Sequence, residues 1–158
     1  MKVPENVARE LEELAAIHVA TRDGSLVPDE AMASAARLSE DGGRLTVYLP
    51  DATSGASLSN LRENGAIAVV LSAPLTHRTV QLKGKVEGIR PAREAEREAV
   101  LRHAASFDAQ VEAIGLPPEV VRRRAKWPCH AVTFEVAGAW EQTPGPGAGE
   151  PLAPEGAG

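Results

Sequence analysis

The stretch from Ser57 to Ile89, SLSNLRENGAIAVVLSAPLTHRTVQLKGKVEGI, constrains the fold more than any other part of the chain. Ser57 is placed to cap a helix over Leu58 to Glu63, and Asn64-Gly65 supplies its stop. Ala66 to Leu71 is apolar throughout, as in a strand covered on both faces. Arg78 to Ile89 then alternates, with Val80, Leu82 and Val86 set against Gln81, Lys83, Lys85 and Glu87. Gly84 and Gly88 interrupt that alternation, which points to a bulge or a tight barrel bend.

The flanking segments extend the pattern. Pro4 to Ala16 carries Val7, Leu11 and Leu14 at helical spacing behind a first-turn proline. Ile17 to Thr21 reads as a strand stopped by Asp23-Gly24, and Met32 to Leu38 as a strand of small residues. Arg44 to Leu49 puts Leu45, Val47 and Leu49 on one face, and His130 to Gln142 does the same with Val132, Phe134 and Val136. Between the last two strands, Ala92 to Ile114 and then Pro118 to about Lys126 read as helices. Six short strands with helices at the ends and in one insertion favour a mostly β, antiparallel barrel over a βαβ fold. One domain is expected over residues 1–142, and the Pro/Gly-rich residues 143–158 are expected to form a flexible tail.

Charge and motifs remove several functions. A formal charge of −5 argues against a nucleic-acid groove, which needs a basic face. No apolar run approaches the ~20 residues that cross a bilayer, and the charged MKVPENVARELEEL is unlike a signal peptide. With Cys129 as the single cysteine, a cytoplasmic protein is expected. The four histidines lack metal-ligand spacing, so no metal site is expected, and no G-x-S-x-G or Walker A sequence occurs. GPGAG, from Gly145 to Gly149, lacks the strand and helix that a phosphate loop requires. The basic run Arg122, Arg123, Arg124 and Lys126 reads as a solvated helix face or as a site for an anionic partner.

The strand LTVYL, the helix SLSNLRENG, the strand AIAVVL and the strand RTVQLKG, in that order, resemble the FMN-binding split-barrel family related to pyridoxamine 5′-phosphate oxidase. The ending FEVAGAWEQTPGPGAG resembles that of a subgroup of the family. The resemblance implies a six-stranded antiparallel split barrel with an N-terminal helix and a helical insertion before the last strand. It also implies a homodimer with FMN at the subunit interface, and an oxidoreductase of the pyridoxamine 5′-phosphate oxidase or flavin reductase type acting on a small molecule.

Carried over residue by residue, it implies cofactor contacts at Arg37, Ser54, Ser57, Arg78, Thr79 and Gln81, and it assigns no catalytic residue. Ser57 stands where the family pattern has a phosphate-binding lysine, three residues before the Asn60-Leu61 pair. Each position has a plainer reading: Ser57 as an N-cap, Arg37 as an exposed strand charge, Thr79 and Gln81 as solvent-facing strand residues. Two other functions stay open at this point: a non-enzymatic flavin-, haem- or deazaflavin-binding module, and a cofactor-free interaction protein.

Overall fold

A computed structural model describes residues 1–152. Seven strands form one antiparallel sheet: β1 (Ala16–Arg22), β2 (Pro28–Ala33), β3 (Ala35–Leu38), β4 (Arg44–Pro50), β5 (Ala66–Ser72), β6 (Thr79–Pro91) and β7 (Cys129–Glu141). Their order across the sheet is β2-β1-β5-β6-β7-β4-β3. The helices are α1 (Glu5–Glu10), α2 (Gly55–Asn64), α3 (Arg97–Ala113) and α4 (Pro118–Arg122).

Seven strands replace the six expected because the run of small residues from Met32 to Leu38 changes partner at Ser34. Residues up to Ala33 pair with β1, as in Ile17 opposite Ala33. From Ser34 onward they pair with β4: the Ser34 N–H donates to the Tyr48 carbonyl at 2.8 Å, and Ala35 lies opposite Tyr48. The two ends of the sheet are therefore two halves of one stretch of chain, which curls the sheet into a split barrel.

The alternation that identified the strands fills the interior. Ile17, Val19, Leu45, Val47, Leu49, Val69, Leu71, Val80, Leu82, Val132, Phe134 and Val136 are all fully buried in one cluster. β5 departs from its expected burial on both faces. Its residues alternate, with Ala68 and Val70 only half-buried on the outer side. The apolar outer residues of β5 carry no periodic mark, so sequence alone could not show that this face is partly open.

Helix boundaries shift for local reasons. α1 ends at Glu10, well short of Ala16, because Leu14 and Ala15 are drawn into the core and Ala16 starts β1. α2 begins one turn earlier than Ser57, with Ser54 as its N-cap, so the N-cap reading of Ser57 is corrected. Gly65, at φ 68°, closes that helix through an N–H bond to the Leu61 carbonyl, as the Asn-Gly pair suggested. Residues 143–152 lie back along β7: the Glu141 N–H bonds Glu150, Gly149 bonds Glu141, and Leu152 bonds Ala139 and packs against the core. The rest of the expected tail, 153–158, falls outside the described residues.

Glycine marks the barrel bend where it was expected. The register of β6 against β7 slips between Lys83 and Gly84 and again between Val86 and Gly88. A Cβ on Gly84 would lie 1.9 Å from the Glu135 carbonyl oxygen and 2.7 Å from the Phe134 ring, whereas one on Gly88 would meet nothing within 4 Å. Two glycines four residues apart on one strand thus have different physical roles.

The helical insertion is fastened to the outside of the barrel by one carboxylate. Glu96 accepts both Arg90 guanidinium N–H groups (2.7 and 2.6 Å), the Arg93 N–H at 2.7 Å and the Tyr48 hydroxyl at 3.0 Å. Arg90, helped by Arg93 and Tyr48 and opposed by burial, holds the Glu96 carboxyl at about 2 against an ordinary 4.5. Beneath this clamp, Val100 of α3 packs with Ala35, Tyr48, Cys129 and Ala131 in a second, smaller apolar cluster.

Gly84→Ala is expected to destabilise the fold by about 2 kcal/mol or more, since backbone must move, while Gly88→Ala stays within about 0.5 kcal/mol. Equilibrium urea unfolding of the two variants measures the contrast. Glu96→Gln is expected to cost about 2 kcal/mol at pH 7. Because the folded pKa is depressed, that contribution is complete above 4.5 and fades as pH falls through about 2. Unfolding curves of wild type and Glu96→Gln should therefore converge across that window.

Candidate functional site

The positions singled out by sequence occupy three separate places. The first is the start of α2. Ser54 ends the loop after β4 and is buried, and its Oγ has no hydrogen-bond partner among the described residues. The N–H groups of the helix's first turn, at Gly55, Ala56 and Ser57, have no backbone acceptor there, and Gly55 and Ala56 are exposed. A helix start of this kind attracts an anion.

Ser57, one turn in, is fully buried, and its hydroxyl donates to the Asp29 carboxylate on β2. Its oxygen is thus already committed, and the nearest charge is negative rather than positive. Asn60 donates to the Thr21 hydroxyl at 3.1 Å and Asn64 to the Arg22 carbonyl at 2.7 Å, which hold α2 against the β1–β2 hairpin. The arrangement suits a phosphate held by hydrogen bonds from Ser54 and the backbone, without an ion pair from this chain.

The second place is the start of β6. Arg78 reaches Glu10 of α1 at 3.1 Å, pairs with Glu141 of β7 and donates to the Thr143 hydroxyl at 3.2 Å. These partners tie the chain's first helix to its last strand, so this guanidinium acts as a structural tie in the chain as described. The Thr79 hydroxyl is within 2.7 Å of the Ser72 hydroxyl and bonds the His77 carbonyl at 2.9 Å. Gln81 is half-buried on the outer sheet face, opposite Val70 on one side and Trp140 on the other, and its side chain bonds none of the described residues. Trp140 also belongs to this face: its ring lies over the site of the absent Gly138 side chain, with Lys83 Nζ 4.8 Å from its centroid.

The third place is a groove of about 490 Å³ on the opposite outer face, between α1, α3 and the β3–β4 pair. Arg37 lines it, on the exposed side of β3 opposite Thr46. Sequence reasoning did not bring together the other polar residues of the groove: Glu12, Tyr48, Glu96, Arg102, His103 and Ser106. Tyr48 sits on the face of LTVYL opposite its core residues, and Glu96 follows Arg93 at capping-box spacing, so both carried a faint signal. Nothing in the sequence joins them to His103.

The remaining reactive groups are accounted for by structure. Burial pushes the Cys129 thiol up to about 11, which makes it a poor nucleophile. Arg124 and Lys126 of the basic run both pair with Asp108 of α3, and Arg124 stacks 4.8 Å from the Phe107 ring. Among the described residues, no group of three or more His, Cys, Asp or Glu side chains is arranged to hold a metal ion. No helix there is long and apolar enough to cross a membrane.

Neither a protein-family model nor a curated protein matches the sequence. Solved structures do match the fold. An F420 reductase aligns with a TM-score of 0.54 at 20% identity, over 87% of this chain and 98% of that one. A putative pyridoxamine 5′-phosphate oxidase from Lactobacillus delbrueckii aligns at 0.53 and 13% identity, over 88% and 93%. An FMN-binding protein from Syntrophomonas wolfei aligns at 0.51 and 11% identity, over 85% and 82%. The curled antiparallel sheet, its flanking helices and these alignments together give the chain the split-barrel fold of the pyridoxamine 5′-phosphate oxidase-related FMN-binding proteins.

Proposed function

We propose that this chain is a flavin-binding split-barrel protein that takes FMN and works as an oxidoreductase on a small molecule. The observation that carries the reading is Ser54: a buried hydroxyl without a partner, at the start of a helix whose first-turn N–H groups are free. The phosphate would be held by Ser54 Oγ and the amides of Gly55 and Ala56, with Ser57 supporting the helix start through Asp29 rather than touching the ligand. Gln81 and Thr79, on the outer face of β6, would meet the ribityl chain or ring. A bound flavin supplies hydride and electron transfer, while the chain's residues bind it, orient it and exclude water.

Dimerisation through the outer sheet face belongs to the same proposal, since half-buried Val70, Gln81 and Trp140 lie there with no helix of their own over them. The likeness to an F420 reductase supports a second reading, in which a deazaflavin takes the same place. The phosphate contacts would be shared, so affinity for the two cofactors, measured side by side, decides between them.

Added FMN is expected to bind with quenching of its fluorescence. Ser54→Ala should lower that affinity by about five- to tenfold, equivalent to roughly one hydrogen bond, while leaving thermal stability unchanged or slightly raised. Stability is spared because the variant removes a buried polar atom that has no partner. A destabilised Ser54→Ala with unchanged FMN affinity would instead make the hydroxyl structural, and wild-type protein that binds neither flavin nor deazaflavin would end the proposal. Light scattering across a concentration series checks the dimer.

A further inference from the structure

The longest run of exposed residues among those described lies where α3 turns into α4, from Glu112 to Val120. Three of its members are large apolar side chains: Ile114 is 60% exposed, Leu116 41% and Val120 51%. Single apolar residues on a surface need no explanation, but a cluster within seven residues of chain marks a contact surface.

The turn is built to hold these side chains outward. Val111 and Val121, on either side of it, are both buried and anchor its two ends. Gly115, at φ 102°, ends α3 with a paired closure: its N–H donates to the Glu112 carbonyl at 3.0 Å, and the Leu116 N–H donates to the Val111 carbonyl at 2.9 Å. Pro117 and Pro118 then open α4, whose Val120 N–H donates to the Pro117 carbonyl at 3.0 Å. The backbone is thus satisfied internally, and the apolar side chains are what the turn presents.

A basic collar stands behind the apolar tip. Arg122 and Arg123 are exposed and form no ion pair among the described residues. Glu112 and Glu119 oppose them, while Asp108 is taken by Arg124 and Lys126. From Asp108 to Lys126 the chain carries four basic and three acidic side chains, a positive surplus on a protein whose formal charge is −5.

The size and shape of the tip select its occupant. A stable protein interface takes roughly 20–30 residues from each side, whereas this turn offers nine, in a protrusion that lines neither cavity of the molecule. A bilayer surface demands no matching shape: it admits a small apolar wedge, and basic groups behind the wedge meet lipid phosphates. We infer that the α3–α4 turn is a peripheral membrane contact, with Ile114, Leu116 and Val120 entering the headgroup boundary and Arg122 and Arg123 on anionic lipid. It shares no residue with the start of α2 or with the open sheet face, so it operates with or without flavin.

Sedimentation with lipid vesicles tests the assignment. Wild-type protein should pellet with vesicles of mixed phosphatidylcholine and phosphatidylglycerol, and less with phosphatidylcholine alone. Ile114→Ser with Leu116→Ser should weaken binding to both by about tenfold or more. Arg122→Gln with Arg123→Gln should cost about tenfold on the mixed vesicles only. Leu26→Ser removes a leucine that is 67% exposed in the β1–β2 turn and should bind as wild type does. Thermal unfolding of each variant confirms that it is folded, and the arginine pair decides if the apolar pair is not. Wild-type protein that stays in the supernatant with both vesicles overturns the assignment, as does equal damage from Leu26→Ser. Self-association that is lost in the apolar variant, without vesicle binding, would make the tip a protein contact instead.

Discussion

The backbone at Ser34 is where the sheet becomes a barrel. On one side of it the chain runs against β1; on the other it runs against β4, at the far end of the strand order. Two hydrogen bonds fix the crossing point: the Ser34 N–H to the Tyr48 carbonyl, and the Ser34 hydroxyl to the Lys126 carbonyl at 2.9 Å. The second bond ties the crossing to the segment that leads from α4 into β7. The residues around it are small, because Ala33, Ala35 and Ala36 are buried where two sheet ends converge.

Closure of this kind gives the two outer faces different characters. On the β3–β4 side the helical insertion is clamped down by Glu96, which leaves a groove between helix and strands rather than a packed interface. On the β5–β6 side no helix among the described residues covers the outer side chains, and Val70, Gln81 and Trp140 stand half-buried beside one another. A single sheet thus offers a walled cleft on one side and a flat, mixed apolar and polar surface on the other.

Much of this was legible in the sequence because core-facing alternation is a local signal. LTVYL, RTVQL and HAVTFEV all place their branched residues inward as read, and the Asp23-Gly24 turn forms with Asp23 accepting from the Ser25 and Val27 N–H groups. The divided strand was not legible, since MASAARL has no breaker at Ser34 and the change of partner depends on residues far along the chain. The start of α2 was misread by one turn because Ser54 and Ser57 have equal capping chemistry. Burial chose between them, as Ser57 was needed against Asp29. The groove was invisible for another reason. Its polar residues come from β3, β4, α3 and the segments beside α1 and α3, and the feature that singles out His103 is the absence of a partner for its Nε2 among the described residues, which sequence cannot display.

Trp127 and Trp140, the only tryptophans in the chain, fall on different sides of this division. Trp127 packs against the small cluster under α3, with Tyr48 and Cys129. Trp140 lies over Gly138 on the open face, next to Lys83 and opposite Gln81. The barrel therefore contains two native fluorophores, one packed in the small cluster under α3 and one on the uncovered sheet. Occupancy of the open face would register as a change in Trp140 emission, without a label and without altering a residue.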